Sequence, residues 1–168
     1  RRWDGDFLTV QQLLADGALG RVRHFESHFD RFRPALRERW RETDSDGGGL
    51  LFDLGPHLLD QALQLFGWPS ALTASVETWR EGSTLPDYFS ITLHYSDKQA
   101  VLSASLFCAA PNRRFVIQGD AGTYVKAGLD PQEDALRAGG APEGDDWGRE
   151  AAEWAGQRYD AAGVQAVT

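Results

Sequence analysis

From Leu51 to Phe66 the apolar residues Leu51, Leu54, Leu58, Leu59, Ala62, Leu65 and Phe66 recur at helical spacing. That period predicts an amphipathic helix laid on a core, with its polar residues turned away from it. A shorter stripe of Phe7, Val10, Gln11 and Leu14 predicts an earlier helix, capped by Asp6, running to about Ala15 and stopped at Asp16-Gly17. Between the two, Val22 to Phe32 interleaves apolar and polar residues with few helix signals, which reads as a strand.

After Gly67-Trp68-Pro69 the period changes to two. Leu72, Ala74, Val76 and Thr78 alternate with Thr73, Ser75, Glu77 and Trp79, and Phe89, Ile91, Leu93 and Tyr95 share one side of the run from Tyr88. Val101 to Ala109 follows across a Ser96-Asp97-Lys98 turn, and Phe115 to Gln118 and Thr123 to Lys126 flank Gly119-Asp120-Ala121-Gly122. Connections this short favour antiparallel neighbours. The expected fold is α+β, an open, mostly antiparallel sheet of about five or six strands with helices packed on one face. Trp79, Tyr88, Ser90, Thr92, His94, Ser103 and Ser105 would occupy the other face, either as a homo-oligomer surface or as an ordinary solvated one. Beyond Gly128 the pattern predicts a turn or two of helix at Asp130 to Asp134, a loop over 138–148, a short helix from Trp147 to Tyr159, and a frayed tail over 160–168.

The 168 residues, 42% hydrophobic and 11% aromatic, suffice for one domain with a real core. A net charge of −8 argues against nucleic acid as a partner, which needs a basic face. No apolar run approaches the ~18 residues of a membrane span, so no membrane role is expected. One cysteine, Cys108, leaves no internal disulfide, and the expected compartment is the cytoplasm. The chain contains no methionine and opens on Arg1-Arg2-Trp3, as a piece of a longer protein would.

Against that acidic background, Arg31, Arg33, Arg37, Arg39 and Arg41 crowd around Pro34 and Trp40. This stretch is either a solvated connection or an anion-contacting loop, in which the planar guanidinium forks suit carboxylates and phosphates and Trp40 can stack on a ring. The helix that follows carries Asp53 and His57 four residues apart, one turn above the other. A neutral imidazole can take a proton from a substrate hydroxyl near pH 7, and a nearby carboxylate can orient it. The pair is equally compatible with a partly exposed helix face that does no chemistry. Ahead of it stand Gly47, Gly48 and Gly49, each costing about 1 kcal/mol relative to alanine within a helix, which suggests a place where another molecule meets the backbone. A metal reading would use Asp53, His57 and Asp60, with or without His24 or His28, but no cluster completes a tetrahedral site and no metal is expected. Neither a serine elbow nor a nucleotide-binding glycine fingerprint is present.

The segment Gly47-Gly48-Gly49-Leu50-Leu51-Phe52-Asp53-Leu54-Gly55-Pro56-His57-Leu58-Leu59-Asp60 closely resembles the G-G-G-x-L-x-D-x-G-x-H-x-x-D signature of the Gfo/Idh/MocA oxidoreductases. Arg1 to Phe7 looks like the helix start that follows that family's dinucleotide domain, and Leu19-Gly20-Arg21-Val22 looks like the entry to its first sheet strand. The likeness extends to about Tyr159. It implies that residues 1–159 are the C-terminal substrate-binding and oligomerisation domain of a two-domain NAD(P)-dependent dehydrogenase acting on a sugar, polyol or related hydroxyl/ketone pair. The catalytic histidine then falls on His57 and its aspartate on Asp53. Trp40 and Arg41, with Arg33, fall on the substrate side, and Gly47 and Gly48 near the cofactor. NAD or NADP would be held mainly by an N-terminal Rossmann domain absent from these residues, so this piece alone should be inactive. The other class of reading is a non-catalytic binding or dimerisation module of the same fold.

Overall fold

The computed structural model describes residues 1–37, 42, 47–144 and 147–167. Helix α1 spans Gly5–Ala15, strand β1 Val22–His28 and helix α2 Leu50–Phe66. Strands β2 (Ala71–Glu77), β3 (Tyr88–His94), β4 (Gln99–Ser105), β5 (Arg113–Gly119) and β6 (Thr123–Ala127) follow. A short helix α3 (Gln132–Arg137), a 3-10 turn (Ala152–Trp154) and a hairpin of β7 (Gly156–Asp160) and β8 (Gly163–Val167) complete the chain. All eight strands lie in one sheet of order β2-β3-β4-β1-β5-β6-β7-β8, antiparallel except for the parallel pair β1 and β4.

The sheet is therefore mixed and larger than the five or six strands expected. The surplus comes from β7 and β8, which occupy the region where a helix and a frayed tail are predicted. Tyr159 pairs with Thr123 and Gln157 with Val125, so the hairpin completes the hydrogen bonding of the β6 edge. Gly156 fits there because a Cβ would stand 2.0 Å from the Tyr124 hydroxyl oxygen.

Phe25, Phe89, Ile91, Leu93, Ala100, Leu102, Phe115 and Ile117 form the sheet side of the core. Phe7 and Val10 from α1 and Leu54, Leu58 and Ala62 from α2 cover them. α2 packs on β4 and β3. The residues between those inward positions, Ser90, Thr92, His94, Ser103 and Ser105, point to the opposite face as predicted, and Trp79 stacks on Tyr88 there at 4.3 Å.

Asp6, expected as a cap, lies inside α1, and Asp4 stands at the N-cap. The reason is Arg114, a 1%-exposed guanidinium on β5. It donates to Asp6 Oδ2 at 3.2 Å, Ser27 Oγ at 2.6 Å and Gln61 Oε1 at 2.6 Å. A buried cation requires such partners, and here they tie α1, β1, α2 and β5 to one point.

Candidate functional site

α2 begins abruptly. Gly49 stands at its N-cap with φ 86° and ψ 163°, a conformation open essentially to glycine alone. A Cβ there would lie 3.0 Å from the Pro86 ring, and the Leu50 N–H donates to the Pro86 carbonyl at 2.7 Å. This glycine thus answers to the chain's own β2–β3 connection. Gly48 is buried, whereas Gly47 is exposed, has φ 91° and meets nothing within 4 Å among the described residues, which leaves room there for a neighbouring molecule. Gly47 and Gly48 lie outside the cleft lining described next, while Gly49 is part of it.

The first turns of α2 form one wall of a cleft of about 540 Å³. Asp53, Leu54 and His57 project from that wall, Arg31 and Arg33 face it from the segment leaving β1, and Arg1, Glu133 and Arg137 close another side. Asp53, in the first helical turn, places its negative charge where the helix dipole favours it. His57 is exposed one turn later. Partial desolvation, with the positive charge of Arg1 adding to it, holds the His57 imidazole below its ordinary pKa, while Asp53 and Asp60 pull the other way. The net effect favours the neutral ring, the form that can accept a proton.

Asp60 is engaged elsewhere: Arg2 grips it through Nε at 2.8 Å and Nη2 at 2.6 Å, which holds its carboxyl below the usual range. His24 and His28 share a strand face as their spacing predicts, but on the open side of the sheet, where each ring places Nε2 2.9 Å from Glu26. Burial raises the Glu26 carboxyl, and the hydrogen bonds to the two imidazoles outweigh it, leaving a lowered pKa. Among the described residues no group of three or more His, Cys, Asp or Glu side chains is arranged to hold a metal ion.

Of the arginine cluster, Arg33 lines the cleft, and Trp40 and Arg41 lie outside the described residues. Arg31, from the same cluster, lines the cleft too. Its backbone is anchored, with its N–H donating to the Ser105 carbonyl at 2.8 Å and its own carbonyl accepting from Cys108 N–H at 3.2 Å. Its half-buried guanidinium lines the cleft and makes no hydrogen bond or ion pair among the described residues. Burial pushes its pKa down even though Glu133 and Asp53 stand near enough to raise it. The sequence carried a signal for this residue, because Phe25, Ser27, Phe29, Arg31 and Arg33 occupy alternate positions and continue the inward face of β1 from the core into the cleft. The far wall is braced by Asp87, fully buried, which accepts from Trp79 N–H at 2.9 Å and Arg80 N–H at 2.8 Å. Arg80 in turn reaches Glu42 at 2.8 Å.

Residues 7–125 match the model of the GFO/IDH/MocA C-terminal domain. The chain belongs to this family. It is 49% identical over 148 residues to the uncharacterized oxidoreductase YdgJ of Escherichia coli, covering 88% of this chain and 43% of YdgJ. It is 43% identical over 157 residues to the scyllo-inositol 2-dehydrogenase (NADP(+)) IolW of Bacillus subtilis, covering 94% of this chain and 44% of IolW. The solved structure of yvaA from Bacillus subtilis superposes with a TM-score of 0.92 at 39% identity, over 99% of this chain and 48% of that one. These 168 residues therefore span less than half the length of the relatives they match, and the relatives are oxidoreductases by name. Among the described residues no helix is long and apolar enough to cross a membrane.

Proposed function

We propose that this GFO/IDH/MocA domain supplies the substrate-binding half of an NAD(P)-dependent oxidoreductase that acts on a sugar, polyol or related hydroxyl/ketone substrate. The observation that carries the reading is the convergence of Asp53, His57 and the half-buried Arg31 guanidinium on one cleft. Neutral His57 accepts the proton of the reacting hydroxyl, and Asp53, one turn earlier, stabilises the imidazolium that forms. Arg31 and Arg33 donate hydrogen bonds to substrate oxygens and set the orientation of the carbinol. A bound nicotinamide cofactor would supply the hydride acceptor for that carbinol carbon. Gly47 has room for a neighbouring group, and the cofactor's main site is assigned to a separate dinucleotide-binding domain of the parent protein. IolW, named for an inositol and NADP(+), supports a polyol and a nicotinamide cofactor as the first candidates. The mixed open sheet face, with Trp79 52% exposed, is the proposed homo-oligomer surface.

The full-length parent protein, offered NAD and NADP with a panel of inositols, alditols and aldoses, should reduce one cofactor with at least one of them. The 168-residue piece alone should reduce neither. No turnover by the parent on any panel member would overturn the assignment in favour of a non-catalytic binding module.

A further inference from the structure

β2 is the edge of the sheet, and it lacks the devices by which edge strands usually avoid new partners. All seven of its residues are exposed, on both faces. It carries no proline, lysine or arginine, its sole charge is Glu77 at the end, and it pairs with β3 through seven consecutive residues without a bulge. Leu72, Ala74 and Val76 stand opposite Leu93, Ile91 and Phe89, which places them on the helix-side face, yet α2 packs on β4 and β3 and leaves them uncovered. Leu72 is 59% and Val76 40% exposed.

The strand is complementary to itself. Inverted about Ala74, Ala-Leu-Thr-Ala-Ser-Val-Glu sets Leu72 against Val76, Thr73 against Ser75, and Ala74 against Ala74. Each pair joins positions of like parity, so side-chain faces and outward-pointing backbone groups match together. The helix-side face then gains two Leu–Val pairs around the central alanines, and the open face gains two Thr–Ser pairs, both favourable cross-strand combinations. Glu77 meets Ala71, so no like charges oppose. A shift of two residues would leave Glu77 opposite Thr73 and lose the Leu–Val pairing.

We propose that β2 pairs edge to edge with β2 of a second copy of this chain, antiparallel about a two-fold axis through Ala74, extending the sheet across both copies. This contact uses the backbone edge and the uncovered helix-side residues. It is distinct from the open-face surface and does not depend on the catalytic reading.

The test is register-specific crosslinking of this 168-residue chain in a Cys108→Ser background, which removes its one thiol. Across the proposed axis the two Ala74 Cα atoms would lie about 4.5–5.5 Å apart, inside the roughly 4.4–6.8 Å that a disulfide spans. Two Leu72 positions would lie about 13 Å apart along the strands, too far to bridge. Under mild oxidation Ala74→Cys should run as a covalent dimer on a non-reducing gel while Leu72→Cys stays monomeric. Mixing Leu72→Cys with Val76→Cys should restore the dimer. Sedimentation of the Cys108→Ser protein before oxidation should already show a dimer or higher multiple. A monomer in sedimentation, or Ala74→Cys crosslinking no better than Leu72→Cys, would overturn the proposal. A chain that sediments as a dimer without the Ala74→Cys crosslink would assign its contact to another surface and overturn it equally.

Discussion

His57→Ala in the full-length parent protein should lower kcat for polyol oxidation by roughly 10²–10⁴-fold, the usual worth of a positioned general base. Cofactor affinity should be unchanged, because His57 lies on α2 in the cleft and the cofactor's main site is proposed to lie in the other domain. The fold should tolerate the change well. His57 is exposed, and the residues that anchor α2 are its neighbours Leu54, Leu58, Gln61 and Ala62. Loss of turnover with intact cofactor binding and an unchanged melting temperature separates a chemical role from a structural one. Equal turnover would show that another group takes the proton.

The largest structural effect is expected at Arg114. Arg114→Leu removes the guanidinium that holds Asp6, Ser27 and Gln61 together and leaves the Asp6 carboxylate, 3% exposed, without its cation. Asp6 Oδ1 already has no hydrogen-bond partner among the described residues, so nothing nearby takes up the load. Breaking a buried pair from one side costs about 3–5 kcal/mol, a large part of the stability of a domain this size. Replacing both members, Asp6→Leu with Arg114→Leu, should recover much of that loss, since no orphaned charge remains. Urea unfolding followed by circular dichroism would check both. A single Arg114→Leu chain as stable as the native one would mean that the network contributes little.

Much of this fold was legible because its elements are amphipathic with a clear period. The stripe from Leu51 to Phe66 became α2, and the alternation through β2, β3 and β4 placed the correct residues on the correct faces. Three features were not legible, each for a physical reason. β7 and β8 are five residues each and mostly exposed, so their state is decided by the unpaired edge of β6 and by the fit of Gly156 against Tyr124 rather than by their own pattern. The parallel pairing of β1 with β4 joins strands separated by α2, β2 and β3, a non-local choice that short-range turn signals do not record. Asp6 looked like a cap because nothing local announces that an arginine 108 residues later will be buried beside it. Spacing and the resemblance single out Asp53 and His57, and both line the cleft. Arg31 was submerged in a crowd of arginines, and only the continued inward face of β1 separates it from its neighbours.

The central claim, that neutral His57 takes the substrate proton in this cleft, is tested most directly by the pH dependence of kcat/KM for the full-length protein. Oxidation should rise with pH as His57 loses its proton, along a limb whose apparent pKa lies below the ordinary histidine value, because partial burial and Arg1 disfavour the imidazolium. Asp53→Asn should move that limb to still lower pH, since the aspartate is one of the groups that raise it. His57→Gln should abolish the limb along with most of the rate. A limb that persists unchanged in His57→Gln would contradict the account.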